Sequence, residues 1–372
     1  MKTNSPSRLY YIDNIRIFLI GLVVLHHFGI TYGAPGGWYY NESQAGIPEM
    51  IPQAMFNATN QAFFMGMFFF ISAFFTAASI KRKSTGKFLK DRLVRLGIPL
   101  LAFYFLLNPL SIYIRNHFIR GDEVSLIKLI TNFNECGFGP MWFVEALLFF
   151  TIIYLFIRTL KIKIVMKFPK TWQIISIALL VAFIQFTIRI WLPVGWSMPF
   201  TNFQFPFFVQ YIFLLFFGVV AYQNNWLESI TFKMGKQWFI FTQLLIFIGF
   251  PVVFIGGGAI DKGLDSFMGG FTFQNLMYAV WEQLLGFSLI IGLFGLFKKW
   301  FNCQGKFAQK LSDSAYGVYL FHTPVIIGIS AIFMNFNIPQ LLKFIVLSPV
   351  ALLACFFVAW LVKQIPGVKK VL

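Results

Sequence analysis

Cysteine is nearly absent from this chain of 372 residues: Cys136, Cys303 and Cys355 stand far apart, with no metal-ligating spacing among them. They supply neither a disulfide framework nor a zinc site, and no metal is expected. Charge is also sparse. Only 12% of residues are charged, 58% are hydrophobic and 51 are phenylalanine, which excludes the pair of soluble domains that length alone would allow. Acidic residues are the rarer sign, 13 against 30 basic, for a formal net charge of +17. In a soluble chain that excess would suggest nucleic acid. Here the basic residues sit in short loops between apolar stretches, so the pattern reports membrane orientation and no nucleic-acid partner is expected. Also lacking are a long internal repeat, a low-complexity segment and a small-residue cleavage site after MKTNSPSRLYY. An uncleaved first helix and a single membrane domain over residues 1–372 are therefore expected.

What the sequence has in abundance is apolar runs of membrane length. About 20 such residues cross a ~30 Å hydrocarbon core as a helix. Ten segments qualify: Ile12 to Gly33, Gln61 to Ile80, Gly97 to Arg115, Gly139 to Ile157, Trp172 to Leu192, Pro206 to Tyr222, Gln237 to Ile255, Phe273 to Phe297, Ala315 to Met334 and Leu341 to Val362. With the N-terminus inside, the inner segments hold 23 of the 30 basic residues. Only Arg115, Arg120, Lys128 and Lys262 fall in outer loops, while Arg16, Arg189 and Lys343 fall within spans or at their ends. The fold expected is an all-α integral membrane bundle of ten helices with both termini cytoplasmic. Between Arg120 and Phe133, Val124, Ile127, Ile130 and Phe133 recur every three residues, as in an interfacial helix on the outer face.

The first span carries Asp13, Arg16, His26 and His27. An ionisable side chain at the bilayer centre costs about 2.5–3.5 kcal/mol even on the lenient scale, so such residues usually face a bundle interior and act there. Eleven residues make about 3.06 helical turns, which puts Arg16 and His27 on nearly one face, ~16 Å apart along the axis. Asp13, one turn before Arg16, is placed to pair with it. A neutral imidazole can take a proton from an attacking hydroxyl or act as a nucleophile near neutral pH. The plainer role for both histidines is polar glue between helices. His26, pointing about 80° away from His27, suits that role better.

Asp13-Asn14-x-Arg16, followed by ten residues and His27, resembles the first-helix signature of the acyltransferase 3 family of integral membrane enzymes. Three more segments match in chain order. Phe69-Phe70-Ile71-Ser72-Ala73-Phe74 is similar to the family's Phe-rich Ser-Gly motif, with Ala73 where glycine is usual. Phe88-x-x-x-Arg92-x-x-Arg95-x-x-x-Pro99 is similar to its basic motif, and Ser314 to His322 to its late Tyr-Leu-His motif. The resemblance covers almost the whole chain. It implies His27 as the catalytic histidine, Arg16 as the family's first-helix arginine, acyl-CoA as donor, and an extracytoplasmic acceptor. A glucan-succinyltransferase-like branch is one place for the chain within that family.

Between the second and third spans, KRKSTGKFLKDRLVR places seven basic residues at the inner face. Lys81, Arg82 and Lys83 suit simple attraction to anionic lipid, ~1 kcal/mol each. Arg92 and Arg95, three apart on one helix face, suit bidentate recognition of phosphate oxygens such as those of coenzyme A, with Lys90 as a weaker partner. Glu145 lies about 9 Å below the outer end of its span, near the level expected for His27, where it would either orient that imidazole or remain a helix-bonded carboxyl. Glu282 and Arg189 are expected to pair across spans. His322, about two turns from the inner end of its span, is expected not to reach His27, lining instead a coenzyme path or holding Tyr316 or Tyr319. His117 is expected to be solvated and Ser72 to pack between helices.

The expected function is transfer of a short acyl group, acetyl or succinyl in type, from cytosolic acyl-CoA to a hydroxyl of a carbohydrate or glycolipid. His27 would serve as base or as transient acyl carrier, in a multi-pass protein of a bacterial cytoplasmic membrane. A secondary transporter or flippase also uses buried Arg, His and Glu, but no paired broken helices or internal halves are evident. A non-catalytic membrane sensor of the same architecture is the third alternative.

Overall fold

The computed structural model of the protein describes residues 8–42, 46–132, 136–160 and 164–372. Among them are ten helices long and apolar enough to cross a membrane: α1 (Tyr10–Thr31), α2 (Ile47–Ile80), α3 (Thr85–Arg120), α4 (Gly139–Thr159), α5 (Thr171–Arg189), α6 (Phe205–Gln223), α7 (Phe232–Ile255), α8 (Phe273–Trp300), α9 (Lys306–Phe333) and α10 (Gln340–Val362). All ten expected spans are present. The chain enters at Tyr10 and leaves after Val362 at the same end, called basal below; the opposite end is distal.

Four helix starts differ from hydropathy in an instructive way. α2 begins at Ile47 rather than Gln61, α3 at Thr85 rather than Gly97, α7 at Phe232 rather than Gln237, and α9 at Lys306 rather than Ala315. Each extension, such as KFAQKLSD in α9, is polar enough to escape an apolar scan yet continues the same backbone hydrogen-bond ladder. Thr231 caps α7 by accepting from Met234 N at 3.2 Å, and Thr272 caps α8 by accepting from Asn275 N at 3.1 Å. α3 is irregular, passing through wider π-helical turns at Leu93–Gly97, Phe103–Leu107 and Arg115–Arg120. The expected interfacial helix reduces to one short piece, Leu126–Thr131. Phe133 lies outside the described residues, as do Lys2, Lys161 and Lys163.

Packing sorts the helices into a centre and a rim. In α8, 83% of the most apolar window is buried, and in α2 78%, against 28% for α3 and α7 and 22% for α10. α1 packs against α2, α8, α9 and α10; α2 packs on α6, α5 on α8, and α9 on α10. α7 and α8 cross closely because both present glycine. A methyl group added to Gly235 would stand 2.6 Å from the Gly295 Cα, so larger residues would force the helices apart.

A buried polar chain ties the centre together. Arg189 Nη2 lies 2.7 Å from Glu282 Oε2, joining α5 to α8 as expected. Gln185 Nε2 donates to Glu282 Oε2 at 2.6 Å, and Gln283 Nε2 donates to Gln185 Oε1 at 2.6 Å. Gln210 Nε2 donates to Gln283 Oε1 at 2.9 Å and to the Ala62 carbonyl at 2.8 Å, which brings in α6 and α2. Arg189 also packs over the rings of Phe207 and Tyr278, at 4.9 and 5.0 Å from their centroids. In a medium without water each unsatisfied polar group would cost several kcal/mol, so this chain favours one register for four helices.

Candidate active site

His27 stands ~25 Å along α1 from Tyr10, and His322 stands ~24 Å along α9 from Lys306. The two helices pack side by side, so the histidines meet: His322 Nε2 is 3.2 Å from His27 Nδ1. This overturns the expectation that His322 falls short of His27. The nine residues by which α9 begins early push His322 ~13 Å deeper than an apolar scan allows.

The hydrogen bonds fix the tautomers. His322 Nδ1 lies 2.6 Å from the Tyr319 carbonyl, which can only accept, so Nδ1 carries the proton. In a neutral His322 the other nitrogen, Nε2, then accepts from His27 Nδ1–H. His27 is left with its lone pair on Nε2, the form a general base requires. Pro324, two residues beyond His322, cannot donate to the Leu320 carbonyl, so the helical ladder is already interrupted in this turn. Tyr319 itself donates its hydroxyl to the Pro140 carbonyl at the start of α4.

Above His27 lies an aromatic residue of the loop after α1. The loop after α1 folds back over the distal end, held by Ala34 N to Gly29 O and Glu42 N to Thr31 O, each 2.9 Å. Gly36 makes the bend at φ 152°, where a Cβ would lie 2.7 Å from Ile30 Cδ1. The Glu42 carboxylate anchors the loop to α10 through Lys343 Nζ at 2.5 Å. Between these anchors Trp38 stacks on His27, ring centroids 3.9 Å apart and planes 17° from parallel. An indole face in that position stabilises an imidazolium when His27 takes a proton. The side chains that touch the His27 ring are therefore His322 and Trp38.

Glu145 is not among the partners of His27. It is buried near the start of α4, whose main packing is on α2 and α3, and no hydrogen bond joins it to the imidazole. His26 is buried beside Phe64, ring centroids 5.1 Å apart, and its backbone carbonyl accepts from Asn57 Nδ2 at 3.2 Å. Its place is in the packing of α1 against α2. His117 is exposed and stacks on Tyr113 at 5.2 Å.

On the distal side of the histidines is a cavity of about 440 Å³. His26, His27, Asn57, Gln61, Trp142 and Tyr319 gather polar groups on its wall. The rest is largely apolar, from the distal half of α2, the start of α6, the distal end of α7 and the segment after it.

On the basal side is a cluster of cations. Arg16 is half-buried in α1, 3.6 Å from Asp13, which also accepts from Arg8 Nε at 2.7 Å. Arg92 donates to the Thr76 hydroxyl on α2 and packs 5.4 Å from the Phe88 ring centroid. Arg95, exposed, follows within the first π turn of α3, close enough to act electrostatically on Arg16, Arg92 and Lys363. Burial pushes the Lys363 ammonium down from the ordinary lysine range, Asp313 opposes this, and Lys369 and Arg95 add to it. Four cations thus converge from α1, α3 and the end of α10. Lys90 is exposed, and Lys83 pairs with Asp91, apart from this group. Among the described residues no cluster of three His, Cys, Asp or Glu is arranged to hold a metal ion.

An imidazole pair between a largely apolar cavity and a cluster of cations suits a membrane group-transfer enzyme. Residues 9–362 match the acyltransferase 3 family, described as an acyltransferase domain, and the chain belongs to that family. The curated relatives it matches include glucans biosynthesis protein C of Escherichia coli strain K12, 26% identical over 162 residues, which is 42% of this chain and 40% of the relative. The protein of the same name from Escherichia coli O139:H28 is 27% identical over 162 residues, with the same coverage. The aligned region thus spans 40% of the length of those relatives. No solved structure matches the chain.

Proposed function

We propose that the protein is an O-acyltransferase that moves a short acyl group from acyl-CoA to a hydroxyl of a glycan or glycolipid, with His27 as general base. The observation that carries this reading is the His27–His322–Tyr319 hydrogen-bond chain at the cavity wall, which leaves a lone pair on His27 Nε2. The name of the relatives, glucans biosynthesis protein C, supports a glucan-like acceptor. The excess of basic residues at the basal end supports a cytosolic donor entering there.

In this scheme Arg92 and Arg95 hold coenzyme phosphates, and the thioester arm runs past Arg16 towards His27. His27 Nε2 takes the proton of the acceptor hydroxyl as its oxygen attacks the thioester carbonyl. The C–O bond forms, the C–S bond breaks, and the departing thiolate takes the proton back from the imidazolium. His322 accepts from Nδ1–H throughout, and the Trp38 face offsets the transient charge. CoA release by the purified protein with a β-glucan oligosaccharide tests the reading. Wild type is expected to release CoA and His27→Ala to lose roughly 10²- to 10⁴-fold while still binding acyl-CoA. Equal release by both would remove His27 from the chemistry. Release of CoA in a single turnover without acceptor would replace the base by an acyl-histidine intermediate.

A further inference from the structure

The cavity is larger and more apolar at its far side than a sugar hydroxyl needs. Polar groups of His26, His27, Asn57 and Gln61 stand on one wall and Gln204 and Tyr278 add two more, whereas Met50, Ile51 and Ala54 of α2, Phe254 and Ile255 of α7, and Leu264 beyond it line an apolar lobe. α2 and α7 do not pack on each other, because α8 stands between them, and the lobe fills the space this leaves at their distal ends. It reaches the surface at Ile255 and Ile260, each 39% exposed. The face of α7 leading to that rim is Phe247, Ile248 and Val252, all more than half exposed on a helix long and apolar enough to cross a membrane. A water-soluble saccharide would find an apolar wall there with little to bond, whereas a hydrocarbon tail would enter from the bilayer without meeting water.

We propose that the acceptor is a lipid-anchored saccharide, its hydrocarbon tail entering laterally between α2 and α7 and its sugar lying against His27, Asn57 and Gln61. The donor is excluded from this lobe by position, since the cationic cluster lies at the other end of α1 and α3. The inference rests on the acyl-transfer reading for the word acceptor, but the binding it asserts is independent of turnover.

The test uses the full-length protein in lipid nanodiscs and a photoreactive dodecyl β-glucoside carrying a diazirine in its tail, with adducts mapped by mass spectrometry. Adducts are expected on the segment from Phe254 to Leu264 and on Met50 and Ile51, with loss of most of this labelling when unlabelled dodecyl glucoside is added in excess. Ala54→Phe, which fills the lobe, is expected to abolish the same adducts, and a dodecyl competitor to displace the probe where free glucose does not. The competition needs no variant, so a poorly folded Ala54→Phe leaves the result intact. Adducts spread over the lipid-facing surface of α7 and α10 without competition would overturn the proposal. Labelling reports binding alone and needs no turnover. Labelled wild type that releases no CoA with any acceptor would therefore sink the acyl-transfer reading and leave the lipid site standing.

Discussion

At the scale of single residues, the site is a pair of imidazoles whose roles follow from one carbonyl. Because Tyr319 O can only accept, the proton positions propagate through His322 to His27, and if His27 is the base its free nitrogen is set by a group two residues away. His322→Phe removes the acceptor for His27 Nδ1–H and is expected to lower kcat roughly 10²-fold with little change in KM for acyl-CoA. His322→Gln, whose amide can both accept and donate, is expected to recover part of that loss; a change in KM alone would show a merely structural role. Trp38→Leu takes away the stacked face and is expected to reduce kcat by about 2- to 30-fold. Of these residues His27 was legible in the sequence, because an ionisable group in an apolar span stands out. His322 was visible as a residue but not at its depth, since the polar first turns of α9 hid where that helix begins. Trp38 stood out only as one of several outer-loop aromatics, because its place over His27 depends on the Glu42–Lys343 anchor, a contact between residues 301 apart in sequence.

At the scale of helices, the spans were legible because an apolar run of ~20 residues has few other uses, and the Arg189–Glu282 pair because two opposite charges inside a bilayer need each other. What hydropathy could not give was lateral neighbours. Glu145 and His27 have similar depths, but α4 packs chiefly on α2 and α3 and α1 on α2, α8, α9 and α10, and the hydrogen bond to the His27 ring comes from His322 instead. The buried pair has a measurable consequence. Arg189→Met leaves Glu282 uncompensated among the glutamines and is expected to lower stability by about 3–5 kcal/mol in a reversible unfolding assay in bicelles. Arg189→Met combined with Glu282→Met, which removes both charges, is expected to restore most of that loss. If the double variant were no more stable than the single one, the destabilisation would come from lost packing against Phe207 and Tyr278 instead.

At the scale of the whole molecule, the polar groups are divided between two ends: cations from α1, α3 and the end of α10 at the basal end, and the largely apolar cavity at the distal end, with His27 between them. If the basal cluster takes coenzyme phosphates, Arg92→Ala with Arg95→Ala should raise KM for acyl-CoA by roughly 10- to 100-fold and leave KM for the acceptor unchanged. That division works only if the basal end faces the cytosol, and the chain carries its own reporter for this. Cys303 is exposed in the basal segment between α8 and α9, whereas Cys355 is buried in α10. With Cys136→Ala to silence the distal side, a membrane-impermeant maleimide should label Cys303 in inverted vesicles and not in intact cells. The reverse pattern would turn the bundle over, placing the arginines outside where acyl-CoA is not made. The positive-inside distribution argues against it: 23 of the 30 basic residues would then have to lie on the translocated side, including the seven from Lys81 to Arg95 in the α2–α3 connection and the first turns of α3.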